Sequence, residues 1–365
     1  MYIKMLENYS VIDLFCGVGG LSHGLLENGF KVTAGIDLDI SCRYAFEQNN
    51  KGAKFYPFDV SELSVEQLET LFPKDKKKIL VGCAPCQPFS LYNKKRKNIT
   101  DIIDNKGDGK WKLLDAFADL IIAIQPEIIS MENVMSLRIF DNGSVLQNFK
   151  KKLENEGYIV SDYDINVQDY GIPQRRKRLV LFGTKYNAKI EIMKPTHSKG
   201  KYVTVREALK GVPKLDNGAT HPKDKLHHCR LLGDLNLRRI KATREGGFWR
   251  EWSEDLKLDC HKKEGGKSFR SVYGRMSWDD VAPTMTTYCI GLGNGRFGHP
   301  EEDRAISLRE AAIFQNFPRD YDFIDPNVKF SASTLARQIG NAVPVGLGRV
   351  IGESIKKHLE QYGSK

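Results

Sequence analysis

The sequence predicts an α/β fold, with a mostly parallel sheet covered by helices and a smaller, irregular second region. In the first half of the chain, short apolar runs alternate with amphipathic stretches. Strands that alternate with helices pair in parallel through right-handed crossovers, which puts helices on both faces of the sheet. After about Met193 the periodicity is poor and Lys, Arg, His and Gly accumulate, which indicates a separate region rich in surface loops.

Each strand of the predicted sheet is a short run of mostly apolar residues. The predicted strands are Val11–Phe15, Val32–Ile36, Ile79–Val81, Glu127–Met131, Ile159–Ile165 and Leu179–Phe182. The stretches between them predict the helices Leu21–Asn28, Ile40–Gln48, Trp111–Ile124 and Val145–Glu156. Because ligands of such sheets bind beyond the carboxyl ends of the strands, we expect the functional residues there.

The second half of the chain predicts less regular structure. Pro195–Phe269 lacks clear periodicity, whereas Ser307–Phe314, with Ser307 as its cap, is a predicted helix and regular periodicity returns at Thr334–Leu359. The amphipathic stretch Arg349–Glu360 is expected to pack on the α/β domain. The expected parts are residues 1–193 as the α/β domain, 194–325 as a smaller domain that contains the irregular stretch 195–270, and 326–365 as a segment that returns to the α/β domain.

The composition is that of a globular protein with an excess of positive charge. Of 365 residues, 41% are hydrophobic and 28% are charged, and Lys plus Arg exceed Asp plus Glu by 56 − 46 = 10. Two basic clusters, Lys94–Lys97 and Arg175–Arg178, follow candidate functional motifs. Either cluster alone could be a solvated face, but their positions favour contacts with the phosphates of a polyanionic partner.

The sequence predicts a cytoplasmic protein without a metal. Its apolar runs are short, as in Leu120–Ile124, and its first ten residues lack the apolar core of a signal peptide. The seven cysteines are expected to be reduced thiols. Cys83 and Cys86 form a C-x-x-C, which could be a redox pair or half of a zinc site, but a zinc site needs further ligands. The available ones are irregularly spaced: His227, His228, Cys229, Cys260 and His261.

The first motif is a glycine turn between a strand and a helix, DLFCGVGG from Asp13 to Gly20. Glycines let the backbone approach a ligand closely, and the following helix offers unpaired N–H groups. A dinucleotide-binding G-x-G-x-x-G would place a third glycine where Ser22 stands, which argues against an NAD oxidoreductase. An ordinary tight turn is the alternative interpretation.

Two carboxylates follow the next two apolar runs. Asp37 ends the strand Val32–Ile36 and could accept both hydroxyls of an adenosyl ribose, since one carboxylate offers two acceptor oxygens. Asp59 follows Phe55–Phe58 and could accept the adenine amino group. Either residue alone could be a solvated loop acid. The glycine turn and the two acids follow one another along an α/β pattern, and this order favours a site for an adenosyl cofactor.

A candidate nucleophile lies in GCAPCQPFS, which follows the strand Ile79–Val81. Pro85 and Pro88 flank Cys86 and restrict the local backbone. A thiolate suits attack on a soft, electron-poor ring carbon, and the basic cluster Lys94–Lys97 favours the anion. A buried, inert cysteine is the alternative interpretation for Cys86.

Two further motifs carry ionisable groups. Glu132 in MENV stands at the end of the predicted strand Glu127–Met131, where it could hydrogen-bond or protonate a ring nitrogen. YGIPQRRKR enters the strand Leu179–Phe182, and alternation along a strand predicts that Arg176 and Arg178 share a face and point to the same site.

In this order, DLFCGVGG, GIDLD, FDV, GCAPCQPFS, MENV and YGIPQRRKR resemble the bacterial DNA (cytosine-5)-methyltransferase family of restriction-modification systems. The resemblance continues in RMSWDDVAPTMTT, REAAIFQNFP and RQIGNAVP, and it covers nearly the whole chain except Pro195–Phe269. The family places its target-recognition domain in that stretch. Asp37 stands where many relatives carry Glu, which keeps the carboxylate but shortens its reach.

The resemblance implies a class I, Rossmann-like fold that binds S-adenosylmethionine. It implies that Cys86 adds to C6 of a flipped cytosine, that Glu132 engages N3 and the exocyclic amine, and that Arg176 lies near the base carbonyl, supported by Arg178. The cofactor-binding residues it implies are Asp13, Phe15, Gly17, Gly19, Gly20, Leu21, Asp37, Leu38, Asp59, Val60, Pro85, Asn341, Ala342 and Val343.

The resemblance also implies double-stranded DNA as the partner, with a cognate restriction endonuclease acting on the same site and a monomeric enzyme. The residues expected to contact DNA are Gln87, Ser90, Lys94, Lys95, Arg96, Lys97, Gln174, Arg238, Arg239, Arg244 and Arg250. The stretch from Gln87 to Lys110 is expected to close over the base. The remaining alternatives are a tRNA cytosine-5 methyltransferase and a non-catalytic DNA-binding module.

Overall fold

The computed structural model describes residues 5–85, 112–264, 266 and 271–363. The chain forms two compact units. Unit 1 comprises Met1–Asn166, Lys177–Lys194 and Leu347–Lys365, and unit 2 comprises Val167–Arg176 and Pro195–Gly346. Val167–Arg176 therefore groups with unit 2, although the boundary expected from the sequence assigned it to the first domain. None of the helices in the described ranges is both long and apolar enough to span a membrane.

Unit 1 contains a seven-stranded sheet with the order β3-β2-β1-β4-β5-β7-β6. The strands are β1 (Tyr9–Leu14), β2 (Val32–Ile36), β3 (Lys54–Tyr56), β4 (Lys77–Gly82), β5 (Ile128–Val134), β6 (Ile159–Asn166) and β7 (Lys177–Thr184). The first five strands pair in parallel, and β7 pairs antiparallel with both β5 and β6. The sequence thus predicted a mostly parallel α/β sheet correctly.

Helices cover both faces of this sheet. They are α1 (Gly20–Glu27), α2 (Arg43–Asn49), α3 (Val65–Thr70), α4 (Lys112–Ile124), α5 (Ser144–Asn155) and α11 (Val345–Tyr362). On one face, Ile12 and Leu14 of β1 share a core with Phe117 of α4 and Phe149 of α5. Because side chains alternate along a strand, Val11 and Asp13 point to the opposite face. There α1 reaches Asp13, and His358 of α11 lies 3.0 Å from the Thr184 hydroxyl.

Strand β5 extends beyond its predicted end at Met131. Its antiparallel ladder with β7 continues through Glu132 opposite Val180 and Val134 opposite Arg178. The pairing partner is remote in sequence, so a local apolar run could not reveal these extra residues. Glu132 therefore lies inside a strand and is held by the sheet rather than by a loop.

The stretch Thr334–Leu359, where the sequence regains regular periodicity, is divided between two helices. The structure has two helices, α10 (Ala332–Asn341) and α11, separated by Ala342–Pro344. Pro344 lacks a backbone N–H and disfavours helical geometry in the residue before it, which explains the break. In unit 1, α11 approaches α1 closely, and Asn28 donates a hydrogen bond to the Arg349 carbonyl at 2.9 Å.

Unit 2 contains short helices and a two-stranded sheet. Its described elements are α6 (Val205–Ala208), β8 (Thr220–His221), β9 (Asp224–His228), α7 (Asp234–Lys241), α8 (Asp259–Lys262), α9 (Leu308–Phe314) and α10. The predicted cap of α9 is confirmed, because the Ser307 hydroxyl accepts a hydrogen bond from the Glu310 N–H at 3.1 Å. The buried Glu310 carboxylate is also paired with Arg304 at 2.8 Å, which lowers its pKa to about 2 against the opposing effect of burial.

Candidate active site

The glycine turn after β1 leaves space above its backbone. Phe15, Gly17 and Gly19 all have positive φ angles, of 60°, 52° and 87°. A side chain at Gly19 would collide with Asn50 and Phe46, so only glycine fits there. A Cβ at Gly17 would meet nothing within 4 Å, so this face of the turn is open to a ligand.

Asp37 closes one side of the turn. Its Oδ2 accepts a hydrogen bond from the Gly17 N–H at 2.9 Å, and its Oδ1 accepts one from the Asp39 N–H at 2.8 Å. These two bonds orient the side chain, and a carboxylate oxygen can accept more than one hydrogen bond. The next residue, Leu38, is 68% exposed and offers an apolar surface beside it.

Asp59 and Val60 follow β3 and differ in accessibility. Asp59 is half-buried, and its Oδ1 accepts hydrogen bonds from the backbone N–H and the hydroxyl of Ser61 at 2.8 and 2.7 Å. Val60 is 3% exposed and belongs to the core beneath. Asp59 thus has a fixed orientation at the end of its strand, while Val60 contributes to packing.

Asp13 supports the glycine turn from within the fold. It is 1% exposed, and its Oδ2 accepts a hydrogen bond from the Ser22 hydroxyl at 2.7 Å. Burial, reinforced by the charge of Asp37 and opposed by the Ser22 hydrogen bond, raises the pKa of Asp13 to about 7. Ser22, which occupies the place of a third dinucleotide-motif glycine, thereby acquires a structural role that the sequence analysis did not find.

Gly17, Asp37 and Leu38 together fit the adenosyl part of a cofactor. The open glycine face allows a close approach, the oriented carboxylate can accept ribose hydroxyls, and the exposed leucine can cover an apolar ring. Gly20 and Leu21 are buried at the start of α1, behind this face. Pro85 is half-buried at the end of the segment that follows β4.

Glu132 is held on the sheet by two partners from neighbouring strands. Because it lies opposite Val180, and Arg178 lies opposite Val134, Glu132 and Arg178 are diagonal neighbours on one face of the β5–β7 pair. The Arg178 Nε lies 2.7 Å from Glu132 Oε1, and the Cys83 thiol donates to Oε2 at 2.6 Å. Glu132 is 1% exposed, so this carboxyl group is buried and oriented from both sides.

The segment that leads from β4 towards Cys86 is attached to β5. Asn133 Nδ2 donates a hydrogen bond to the Ala84 carbonyl at 3.3 Å. The described residues end at Pro85 here, so Cys86 lies outside them, as do Gln87, Ser90, Lys94, Lys95, Arg96 and Lys97. In the part of the chain that the structure describes, no three His, Cys, Asp or Glu side chains form a group that could hold a metal ion.

The side chains of Arg176 and Gln174 form hydrogen bonds with other residues of unit 2. Arg176 donates to the carbonyls of Met285 and Ala342, at 3.3 and 3.5 Å. Gln174 is completely buried, and its amide donates to Gln315 and accepts from the Met285 N–H. Direct contact of Gln174 with DNA, as expected from the sequence, conflicts with this burial. Arg176 likewise binds carbonyls of its own unit, whereas it was expected near a base carbonyl.

Asn341, Ala342 and Val343 form the link after α10. Asn341 is exposed, whereas Ala342 and Val343 are 8% and 7% exposed. Gln315 donates from Nε2 to the carbonyls of Ile339 and Ala342 at 2.6 and 3.1 Å, which fixes this link within unit 2. Gln315 was not among the residues predicted from the sequence. The part of Asn341, Ala342 and Val343 in cofactor binding stays a prediction.

Known proteins share the sequence pattern and the fold of this chain. The model of the family described as C-5 cytosine-specific DNA methylase matches residues 9–357. The chain belongs to this family. It is accordingly a DNA (cytosine-5)-methyltransferase, as the sequence predicted.

Individual relatives agree with this assignment. The Type II methylase M.HgiDII of Herpetosiphon aurantiacus is 53% identical over 96% of each protein. The Type II methyltransferase M.PspPI of Psychrobacter sp. (strain TA137) is 31% identical over 98% of this chain and 82% of that protein. The solved structure of the Entamoeba histolytica methyltransferase EhMeth superimposes with a TM-score of 0.65 at 17% identity, covering 96% of this chain and 99% of that one. This last likeness concerns the fold alone.

For a DNA (cytosine-5)-methyltransferase, the accessibility of the four arginines expected to contact DNA is informative. Arg238 and Arg244 have exposed side chains, 62% and 81%, paired with Asp255 and Glu251. Arg250 is exposed and lies over the ring of Phe248. All three therefore present charge to solvent.

Arg239 differs from the other three arginines. It is 7% exposed, its guanidinium stacks over Trp252 and Tyr273, and its Nε donates to the Leu256 carbonyl at 2.9 Å. The expectation that Arg239 contacts DNA conflicts with these contacts. Arg239 instead connects α7 to the aromatic rings of Trp252 and Tyr273.

Proposed function

We propose that this methyltransferase transfers a methyl group from S-adenosylmethionine to C5 of a cytosine in a specific duplex DNA sequence, with Cys86 as the covalent nucleophile. The observation that carries the proposal is the buried Glu132 carboxyl group, held between Arg178 and Cys83. Cys86 follows Cys83 by three residues along the same segment. An oriented acid and a thiol nucleophile are the two groups needed to activate a cytosine ring.

In the proposed reaction, the Cys86 thiolate adds to C6 while Glu132 engages N3 and the exocyclic amine. The hydrogen bond at N3 draws electron density from the ring, so C6 accepts attack and C5 becomes nucleophilic. The bound cofactor would supply an electrophilic methyl group for C5, and its remainder would leave as S-adenosylhomocysteine. Removal of the C5 proton, by water or another base, then restores the C5–C6 double bond and expels Cys86.

We assign Arg178 the place nearest the base, because it already pairs with Glu132. Its guanidinium would balance the negative charge that develops on the ring and its carbonyl. We assign Arg176 a supporting role, since its guanidinium binds the carbonyls of Met285 and Ala342. This assignment reverses the roles that the resemblance implied for the two arginines.

The cofactor would be held at the open glycine turn. Asp37 would accept its ribose hydroxyls, Leu38 would cover the adenine, and Asp59 would accept the adenine amino group. The contacts that orient Asp37 and Asp59 support this assignment, as does the open face of Gly17. Asp13 would act through the turn rather than by touching the cofactor.

Access to C5 and C6 requires that the target base leave the duplex, because stacked neighbours cover both atoms. The irregular stretch 195–270 would read the sequence, and the exposed Arg238, Arg244 and Arg250 are its candidate contacts with bases or phosphates. Lys94–Lys97 would bind phosphates. Since two similar proteins are named Type II methylases, we also propose a restriction-modification role with an endonuclease that cuts the same site.

Bisulfite sequencing of DNA from cells that express the protein tests this function. We expect protection of cytosine at one position of one sequence, and no protection with the Cys86→Ala variant. A methyl-transfer assay with duplex DNA and tRNA side by side identifies the substrate. Methylation of tRNA without methylation of DNA would contradict the proposal.

A further inference from the structure

Cys83 contacts Glu132 but takes no part in the proposed methyl transfer. Its Sγ lies 2.6 Å from Glu132 Oε2, and the thiol is the donor. Cys83 is half-buried at the end of β4, whereas Glu132 lies in the neighbouring strand β5. Parallel pairing of Gly82 with Met131 brings the two side chains together.

The two partners of Glu132 act on its carboxylate differently. Arg178 Nε lies 2.7 Å from Oε1, yet no hydrogen bond of acceptable geometry reaches Oε1 from the described residues. Arg178 therefore supplies charge, and attraction between charges depends little on direction. The thiol of Cys83 supplies a directional hydrogen bond to the other oxygen.

We propose that Cys83 is a positioning residue, which fixes the rotation of the Glu132 carboxyl group so that Oε1 stays directed towards Arg178, the residue that the proposed function places nearest the base. This proposal rests on the proposed function of Glu132. The terminal torsion of a glutamate side chain is soft, with broad minima, so a directional partner is needed to hold it. A thiol is a weak donor, and it orients the carboxyl group while leaving it able to exchange a proton.

The variants Cys83→Ser and Cys83→Ala separate the hydrogen bond from the rest of the side chain. Serine retains a donor at nearly the same place, and alanine does not. With saturating duplex and cofactor, we expect the single-turnover rate constant of Cys83→Ala to fall about three- to tenfold, the scale of one neutral hydrogen bond. Cys83→Ser should stay within about twofold of the wild type, and the cofactor dissociation constant should be unchanged in both. The proposal would be overturned if the single-turnover rate constant of Cys83→Ala equalled that of the wild type or that of Cys83→Ser.

A double-mutant cycle with Glu132→Gln tests whether Cys83 acts through Glu132. If it does, Cys83→Ala should cost clearly less in the Glu132→Gln background than in the wild type, because the shared interaction is already altered. An equal cost in both backgrounds would refute the positioning role alone. A Glu132→Gln variant as fast as the wild type would instead refute the proposed function of Glu132.

A folding defect is distinguished by counting active molecules. The amount of covalent complex formed with a duplex that carries 5-fluorocytosine gives the active fraction of each preparation. We expect the Cys83→Ala variant to reach the wild-type amount more slowly. A reduced amount formed at the wild-type rate would show that Cys83 is merely structural, and would overturn the proposal.

Discussion

Asp13 and Glu132 are both buried acids at the sheet, but their surroundings give them different roles. Asp13 meets a serine hydroxyl and the charge of a second acid, Asp37, and its pKa is raised to about 7. Glu132 meets a guanidinium and a thiol. Asp13 is therefore suited to hold a proton and support the glycine turn, whereas Glu132 is held in one orientation, as its proposed contact with the base requires.

The raised pKa of Asp13 predicts a pH-dependent stability. Between pH 3.8 and about 7 the folded chain retains a proton on Asp13 that the unfolded chain has lost. The free energy of unfolding should therefore decrease as the pH rises through this window, by on the order of 2–4 kcal/mol from this group. We expect the Asp13→Asn variant to show a flatter dependence in urea unfolding between about pH 5 and about pH 8. Ser22→Ala keeps the titrating carboxyl group but removes a hydrogen bond that lowers its pKa, so in this variant the pH dependence should persist and extend to higher pH. An unchanged slope in Asp13→Asn would contradict this account.

Replacement of Glu132 by Gln should reduce the rate of methyl transfer by about 10²- to 10⁴-fold, the usual scale of general acid–base assistance. An amide can still hydrogen-bond the ring, but it cannot readily supply a proton. The measurement is the single-turnover rate constant with saturating duplex, and cofactor affinity serves as the control. A loss below about threefold would mean that another group activates the ring.

At the scale of elements, apolar runs identified six of the seven strands of the described sheet, because buried strands need apolar residues wherever they pair; they missed β3, which has only three residues and begins with the exposed Lys54. The same local signal could not show that β5 continues through Glu132, since that extension depends on pairing with β7. Nor could it show which polar residues are buried. Gln174 and Arg239 resemble DNA-contacting residues in sequence, yet carbonyls and aromatic rings from remote segments enclose them.

The close approach of α11 to α1 predicts a steric requirement for glycine at position 348. A Cβ there would lie 2.8 Å from the backbone carbonyl oxygen of Leu21, so the helix would have to shift. We expect Gly348→Ala to lower the free energy of unfolding by about 1–3 kcal/mol, the usual cost of overpacking. Lys357→Ala is the control on the same helix, because Lys357 is exposed. Equal stabilities of the two variants in urea unfolding would contradict the prediction.

At the scale of the whole molecule, the positive charge has two proposed uses. Arginines exposed in the stretch 195–270 would read bases, whereas Lys94–Lys97 would bind phosphates of any sequence. The two kinds of contact affect binding differently. Phosphate contacts release counterions and so make affinity depend on salt, whereas base contacts carry the sequence information.

Substitutions in the two regions should therefore fail differently. Some changes of Arg238, Arg244 or Arg250 should remove a bidentate base contact. Each such change should lower the free energy of discrimination between the target and other sequences by about 1–3 kcal/mol, and so alter which sequences are methylated. Neutralising Lys94–Lys97 should weaken binding to all sequences and reduce its dependence on salt. Methylation profiling and binding titrations over a range of salt concentrations measure both effects. A changed sequence preference in the lysine variants alone would reverse the assignment.

The central claim is that Cys86 forms a covalent bond to the target cytosine, and one trapping experiment tests it most directly. Fluorine at C5 cannot leave as a proton does, so a duplex with 5-fluorocytosine at the target should hold the methylated adduct on the enzyme. With saturating cofactor, we expect the wild-type protein to form a complex that survives denaturation and the Cys86→Ala variant to form none. A wild-type protein that methylates ordinary duplex but forms no such complex, or a Cys86→Ala variant that forms it equally, would contradict the account.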